Sequence, residues 1–363
     1  MNRIFGGPPR YEQGPGAVGL LGALTIDIGE RALIVVDADV LPFVADALEA
    51  TFAKRPFEIL AFRGEVTRAA IAAASEAGRA FNPDLVIGIG GGKGLDAAKG
   101  VALTLALPFV AVPSIASNDS PTARSLAVYD DNHVLVAIEA LPQSPRLVVA
   151  DTTLIAQAPA RFLRSGMGDA LAKKFEAERA VADGASNFFG GRASITALAI
   201  GDACYRTLRT HGAAAMRAAE AHVPDEAFEA VVEANVLMAG LAWENGGLSY
   251  AHAVVRGLVK ARGASDASHG EHVAYGVLVQ LAIEGRDDGF IADVMDFNDS
   301  VGLPTSLKAL GMIDATAEEV VEIARLTAIG PKGGKIIVAA SPQAIGEAIT
   351  RVEHLSATRQ LTE

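Results

Sequence analysis

Five short apolar runs rich in β-branched residues recur through the first 151 residues of the chain: ALIVVD (Ala32–Asp37), FEILAF (Phe57–Phe62), LVIGIG (Leu85–Gly90), FVAVP (Phe109–Pro113) and RLVVAD (Arg146–Asp151). Between the first three lie VLPFVADALEATF and VTRAAIAAASEAGRAF, which carry the apolar spacing of helices. Continuous apolar strands alternating with amphipathic helices predict a mostly parallel sheet covered on both faces, a Rossmann-like α/β architecture. SLAVYDDNHVLVAIEAL reads instead as a hairpin turning at Asp130, Asp131 and Asn132. Beyond Thr152 the strand pattern fades and alanine-rich helical periodicity runs to about Arg359. The chain therefore reads as an α/β domain over 1–161 and an all-α domain over 162–363. A cleft between two such halves is the expected meeting place of a cofactor and a substrate.

Composition narrows the function classes. Half of the 363 residues are hydrophobic and 20% are charged, which favours a large core over global disorder. The net charge of −12, with no basic run, argues against nucleic acid and anionic membranes as partners. The single cysteine, Cys204 in GDACYRTL, excludes an internal disulfide and a Cys-rich metal site; packing in a buried helix is its expected role. The longest apolar stretch, Val101 to Val112, contains Pro108 and is too short to span a bilayer. The N-terminal segment carries no apolar signal region, so a cytoplasmic protein is expected.

The third apolar run passes into LVIGIGGGKGLDAAKG. A strand ending near Ile89, the glycines Gly90, Gly91 and Gly92, and a helix opening near Gly94 make a turn that a diphosphate can approach closely. Lys93 offers a full positive charge. Walker A spacing is absent, since Ile87 and Gly94 stand where that loop needs Gly and Ser or Thr. Asp37, closing the first run, is placed either to accept bonds from ribose hydroxyls, favouring NAD over NADP, or to open the following helix.

Three helix-forming stretches of the second half each carry one good metal ligand. They are GMGDALAKKFE with Asp169, ENGGLSYAHAVVRG with His252, and SHGEHVAYG with His269. A carboxylate and two neutral imidazoles are a donor set that catalytic zinc uses when one position stays open. Ser268 and Glu271 have capping-box spacing, which puts His269 in a first helical turn, while His252 reads as lying deeper in its helix. His272 is left outside the set.

GGGKGLDAAK, PSIASNDSPT, GMGDALAKKFEA, ENGGLSYAHA and HGEHVAYGVLVQL, in that order, resemble the iron/zinc-dependent alcohol dehydrogenase superfamily, most closely its glycerol dehydrogenases. The resemblance implies a dehydroquinate synthase-like fold, an NAD cofactor, a small polyol substrate with glycerol foremost, and a homo-oligomer. By it, Gly92, Lys93, Gly94, Leu95 and Asp96 cradle the diphosphate and Asp37 holds the ribose. Ser114, Ile115, Ala116, Ser117 and Tyr129 line the cofactor site, and Asp119 meets the substrate hydroxyls. Asp169, His252 and His269 bind zinc. Ala123 and Ser125 replace the usual Ser and Leu beside the cofactor, and Gly94 stands where Thr is common. Iron-type members carry a histidine four residues after the aspartate ligand; here that position is Lys173, which fits the three-ligand zinc branch. The alternatives within the fold are a dehydroquinate synthase-like lyase and a glycerol 1-phosphate dehydrogenase.

Overall fold

In the computed structural model, residues 1–329 and 336–360 are described. The chain divides into two compact units, neither a single run of sequence: residues 7–163 with 217–240, and residues 1–6, 164–216 and 241–363.

The first unit is built on a six-stranded sheet of β1 (Tyr11–Gly14), β2 (Ala32–Asp37), β3 (Phe57–Phe62), β4 (Leu85–Gly90), β5 (Phe109–Pro113) and β8 (Leu147–Asp151). Their order is β1-β8-β5-β4-β2-β3 and every neighbouring pair is parallel. The five apolar runs are thus five of the six strands. β1 is a short polar edge strand, YEQG, with its register set by Tyr11 against Val148. β6 (Ser125–Tyr129) and β7 (Leu135–Ala140) form the expected antiparallel hairpin.

Burial on both faces explains the continuous apolar runs. Ala32, Ile34 and Val36 of β2 join Ile87, Ile89 and Val110 in a core closed by Val18, Leu21, Val44, Leu48 and Phe52. Leu33 points the other way, where a Cβ on Gly78 of the helix Arg68–Arg79 would lie 2.4 Å from its Cδ2. From β2 the chain passes through the helix Leu41–Thr51 to β3 at one edge. From β4 it passes through Gly92–Leu105 to β5 in the opposite direction. β2 and β4 are neighbours, so the connections diverge between them. In open α/β sheets such a switch point opens a ligand crevice at the carboxyl ends of the strands.

The second unit is helical, and no strand follows β8 among the described residues. Its helices include residues 164–182 of Ala160–Ala182, then Tyr250–Leu258, His269–Ile283, Asp288–Val301, Ala317–Ala328 and Pro342–Gln360. Cys204 is buried in the helix Ile195–Glu220 with Sγ 3.7 Å from the Ala170 carbonyl, in keeping with a packing role. The first six residues belong here too. Arg192 N donates to the Asn2 carbonyl (2.7 Å), Asn187 Nδ2 to that of Ile4 (2.7 Å), and Gly6 and Asn245 exchange two bonds of 2.7 and 2.8 Å. No described helix is long and apolar enough to cross a membrane.

Candidate active site

In the sheet unit, the switch point gathers the residues picked out around the glycine loop. Val36 pairs with Ile89, which sets Asp37 beside Gly90. The approach is so close that a Cβ on Gly90 would lie 2.9 Å from Asp37 Cβ, and one on Gly94 3.3 Å from it. Larger residues at Gly90 would push the strands apart. The helix begins at Gly92, two residues earlier than expected, so its unpaired N–H groups open directly onto the loop. Because β1 precedes the apolar runs, the loop follows the fourth strand of the chain, not the third. The 114–117 segment flanks it: Ser114 N donates to the Gly90 carbonyl (3.0 Å), and Ile115 Cδ1 fills the space above Gly91.

Two charged residues of the loop are engaged locally. Lys93 Nζ bonds Glu65 Oε2 at 2.8 Å, and that carboxylate also meets His133 Nδ1 at 2.6 Å. Burial pushes the Glu65 carboxyl up, but the Lys93 and His133 hydrogen bonds outweigh it and hold it down at about 2. Asp96 accepts from Ser120 Oγ (3.0 Å) and from Ala127 N (3.0 Å), so its carboxylate braces the neighbouring turn and hairpin. The fully buried Lys99 completes that brace, with Nζ bonded to the Ser120 and Ser125 carbonyls at 2.7 and 2.8 Å. Ser125 therefore contributes its carbonyl here, at the start of β6, and Tyr129 closes the same strand.

Asp119 sits in a turn, as SNDSPT implies: Thr122 N donates to its carbonyl at 3.3 Å. A π-turn at Ala234–Met238, unsignalled in the sequence, anchors this stretch. Asn235 Nδ2 donates to the Ala116 carbonyl (3.0 Å) and Thr122 Oγ1 to that of Val236 (2.8 Å).

In the helical unit, Asp169, His252 and His269 converge, with one donor atom from each lying within 4.8 Å of the others. Asp169 Oδ1 is 3.3 Å from His252 Nε2 and 3.9 Å from His269 Nε2. A tetrahedral zinc with bonds of about 2.1 Å holds its donors about 3.4 Å apart, so the set fits such an ion. Asp169 is buried, whereas the His269 side chain is 48% exposed, which leaves one side of the cluster open.

Close backbone packing brings these three together. A Cβ on Gly168 would lie 2.2 Å from the Gly270 carbonyl oxygen, and one on Gly270 only 1.7 Å from that of Ser165. The helices of Asp169 and His269 thus touch at glycines adjoining these two candidate ligands. Gly276 is likewise pressed onto the carbonyl of Ala251, next to His252. His269 opens its helix behind the expected capping box of Ser268 and Glu271. His252 is the third residue of Tyr250–Leu258 and so lies in a first turn, not deep in the helix. His272 turns away and donates from Nε2 to the Ala264 carbonyl at 2.7 Å.

Two partners of the cluster were not expected as such from the sequence. Glu176, two turns beyond Asp169 and fully buried, accepts from His252 Nδ1 (2.6 Å), His252 N (2.9 Å) and Ser249 N (2.8 Å). In the neutral imidazole its bond to Nδ1–H fixes the tautomer and leaves a lone pair on Nε2, beside Asp169. Burial works to lower the His252 pKa, but the Glu176 charge and the bonds to Asp169 and Glu176 outweigh it and raise it to about 9. Lys173 is the second: its ammonium enters the cluster and bonds Asp169 Oδ1 at 2.6 Å. Burial raises the Asp169 pKa, yet Lys173 and the imidazoles outweigh it and hold the carboxyl below the ordinary range.

The chain matches the iron-containing alcohol dehydrogenase family over residues 8–152. It is 37% identical to a glycerol dehydrogenase of Pseudomonas putida over 90% of both chains, and 40% identical to one of Thermotoga maritima over 87% of both. Its structure is similar to the crystal structure of glycerol dehydrogenase from Schizosaccharomyces pombe, with a TM-score of 0.93 at 33% identity, over 100% of this chain and 93% of that one. Fold, ordered motifs and relatedness over most of the length agree: the chain belongs to the iron-containing alcohol dehydrogenase family and is an oxidoreductase.

Proposed function

We propose that the chain is an NAD-dependent dehydrogenase of vicinal diols, converting glycerol to dihydroxyacetone with one zinc ion. The observation that carries this reading is the convergence of Asp169, His252 and His269 with the separations of a tetrahedral metal centre. Kinship to glycerol dehydrogenases over most of the chain favours glycerol. Three protein donors, with Lys173 where a fourth ligand would stand, favour zinc over iron. The cytoplasm and a homo-oligomeric state complete the reading.

When bound, zinc supplies positive charge that eases loss of a hydroxyl proton, and NAD supplies the hydride acceptor. Asp169 and the two imidazoles hold the ion, and Glu176 keeps His252 in the tautomer that presents Nε2. A protonated His252 cannot also be a ligand through Nε2, so metal binding competes with the proton its raised pKa favours. In the sheet unit, Gly90 to Asp96 and Ser114 to Ser117 form the diphosphate cradle. Asp37, against Gly90 and Gly94, takes the ribose hydroxyls and repels a 2′-phosphate. Asp119 meets the substrate hydroxyls, and the departing proton leaves through Asp119 or a chain of waters.

NADH formation over glycerol, 1,2-propanediol and phosphorylated polyols, with and without zinc, tests the whole. Zinc-dependent turnover of the unphosphorylated diols is expected, abolished in His252→Ala. Full activity of a metal-stripped His252→Ala variant would defeat the reading.

A further inference from the structure

We propose that Lys173 is a built-in cation that weakens the hold of the Asp169–His252–His269 centre on its divalent metal, an inference that rests on the metal-centre reading above. The Lys173 ammonium lies 2.6 Å from Asp169 Oδ1, the same oxygen that is 3.3 Å from His252 Nε2 and 3.9 Å from His269 Nε2. It therefore sits on the carboxylate oxygen that faces both imidazoles. The Lys173 and Asp169 side chains are only 1% and 2% exposed, so water and salt screen their charges little. Lys173 is also tethered one helical turn from Asp169, which keeps it beside the site.

Formal charge gives the sign of the effect. Asp169 and Glu176 are both buried anions, and Lys173 offsets one of them. With both imidazoles neutral, the state that ligation requires, the cluster carries −2 from the carboxylates and +1 from the lysine, or −1. A divalent ion takes it to +1. With a neutral side chain at position 173 the same ion would take it from −2 to neutrality. Removing the lysine charge acts on both states. It strands a buried carboxylate in the metal-free protein, and it removes like-charge repulsion in the metal-bound one. Both changes favour binding. Lys173 also uses lone-pair capacity on Oδ1 that a metal would otherwise claim. The centre is thus built for exchangeable metal, retained when zinc is plentiful and surrendered to a competing chelator.

The test is zinc affinity, measured by competition with a chromophoric chelator at fixed pH and salt, for the wild type, Lys173→Met, Lys173→Thr, Lys173→Arg and His252→Ala. Lys173→Met and Lys173→Thr should bind zinc at least about tenfold more tightly than the wild type, the direction set by deleting a neighbouring like charge. Lys173→Arg, which keeps the charge, should stay near the wild type. Equal or weaker binding by both neutral variants would overturn the proposal, because a merely structural lysine would lower affinity when removed. If the neutral variants fold only with zinc, its release from the loaded proteins into excess chelator is timed instead. Slower release than from the wild type supports the proposal, and equal or faster release overturns it. His252→Ala separates the two readings. Zinc binding that survives it unchanged removes the metal centre itself; its loss, with no tightening in the neutral Lys173 variants, removes only the role given to Lys173.

Discussion

The Glu176 carboxylate accepts three N–H bonds, two from the backbone at Ser249 and His252 and one from the His252 ring. It thereby sets both the start of a helix and the aim of a ligand nitrogen on it. Glu176→Gln keeps the size but weakens the grip on Nδ1–H, so zinc affinity should fall about 10–100-fold with the fold intact. A zinc titration alongside a circular dichroism spectrum checks this, and unaltered affinity would mean that the imidazole is oriented by packing alone. Glu176 could not be read from the chain as a participant, and Lys173 could be read only as standing where a fourth ligand is missing, not as the partner of Asp169. On a helix of mixed charge, a Glu and a Lys look like a solvated face, and only burial reveals otherwise. The convergence of Asp169, His252 and His269 was expected because they lie in motifs whose order resembles that of the family. Lys93 was legible as a charge but not as the partner of Glu65, 28 positions away.

At the level of elements, the strands of the sheet were the plainest feature, since burial on both faces keeps β2, β4, β5 and β8 apolar up to their carboxyl ends, where Asp37 and Asp151 close β2 and β8. β1 was opaque for the opposite reason: a polar edge strand has no apolar run to betray it. The glycines that let helices touch were equally silent, because a glycine in a helix looks the same whether it faces solvent or another backbone. Gly270 carries the sharpest consequence, with no space for a methyl group against the Ser165 carbonyl. Gly270→Ala should cost about 1–3 kcal/mol of stability as the helices separate. It should weaken zinc binding too, because Asp169 and His269 adjoin that contact. Urea unfolding of the metal-free variant reads the first effect. Wild-type stability would show that the helices can slide apart at no cost.

Over the whole molecule, the two proposed recognition tasks belong to different units: every nucleotide-site candidate lies in the sheet unit and every candidate metal ligand in the helical one. Zinc should therefore slow amide exchange chiefly in the helices bearing Asp169, His252 and His269, while NAD slows it chiefly at 90–96 and 114–117. Mass-spectrometric exchange with each ligand alone checks this, and reversed footprints would contradict the assignments. The interleaving of the units along the chain bears on biosynthesis. The α/β unit takes in residues 217–240, which join a sheet whose six strands all lie within residues 11–151. Residues 1–6 find their hydrogen-bond partners far along the chain, at Asn187, Arg192 and Asn245. Vectorial synthesis can thus pair the hydrophobic strands first, and it must leave the Ala116 carbonyl and the Thr122 hydroxyl waiting for Asn235 and Val236 to be made.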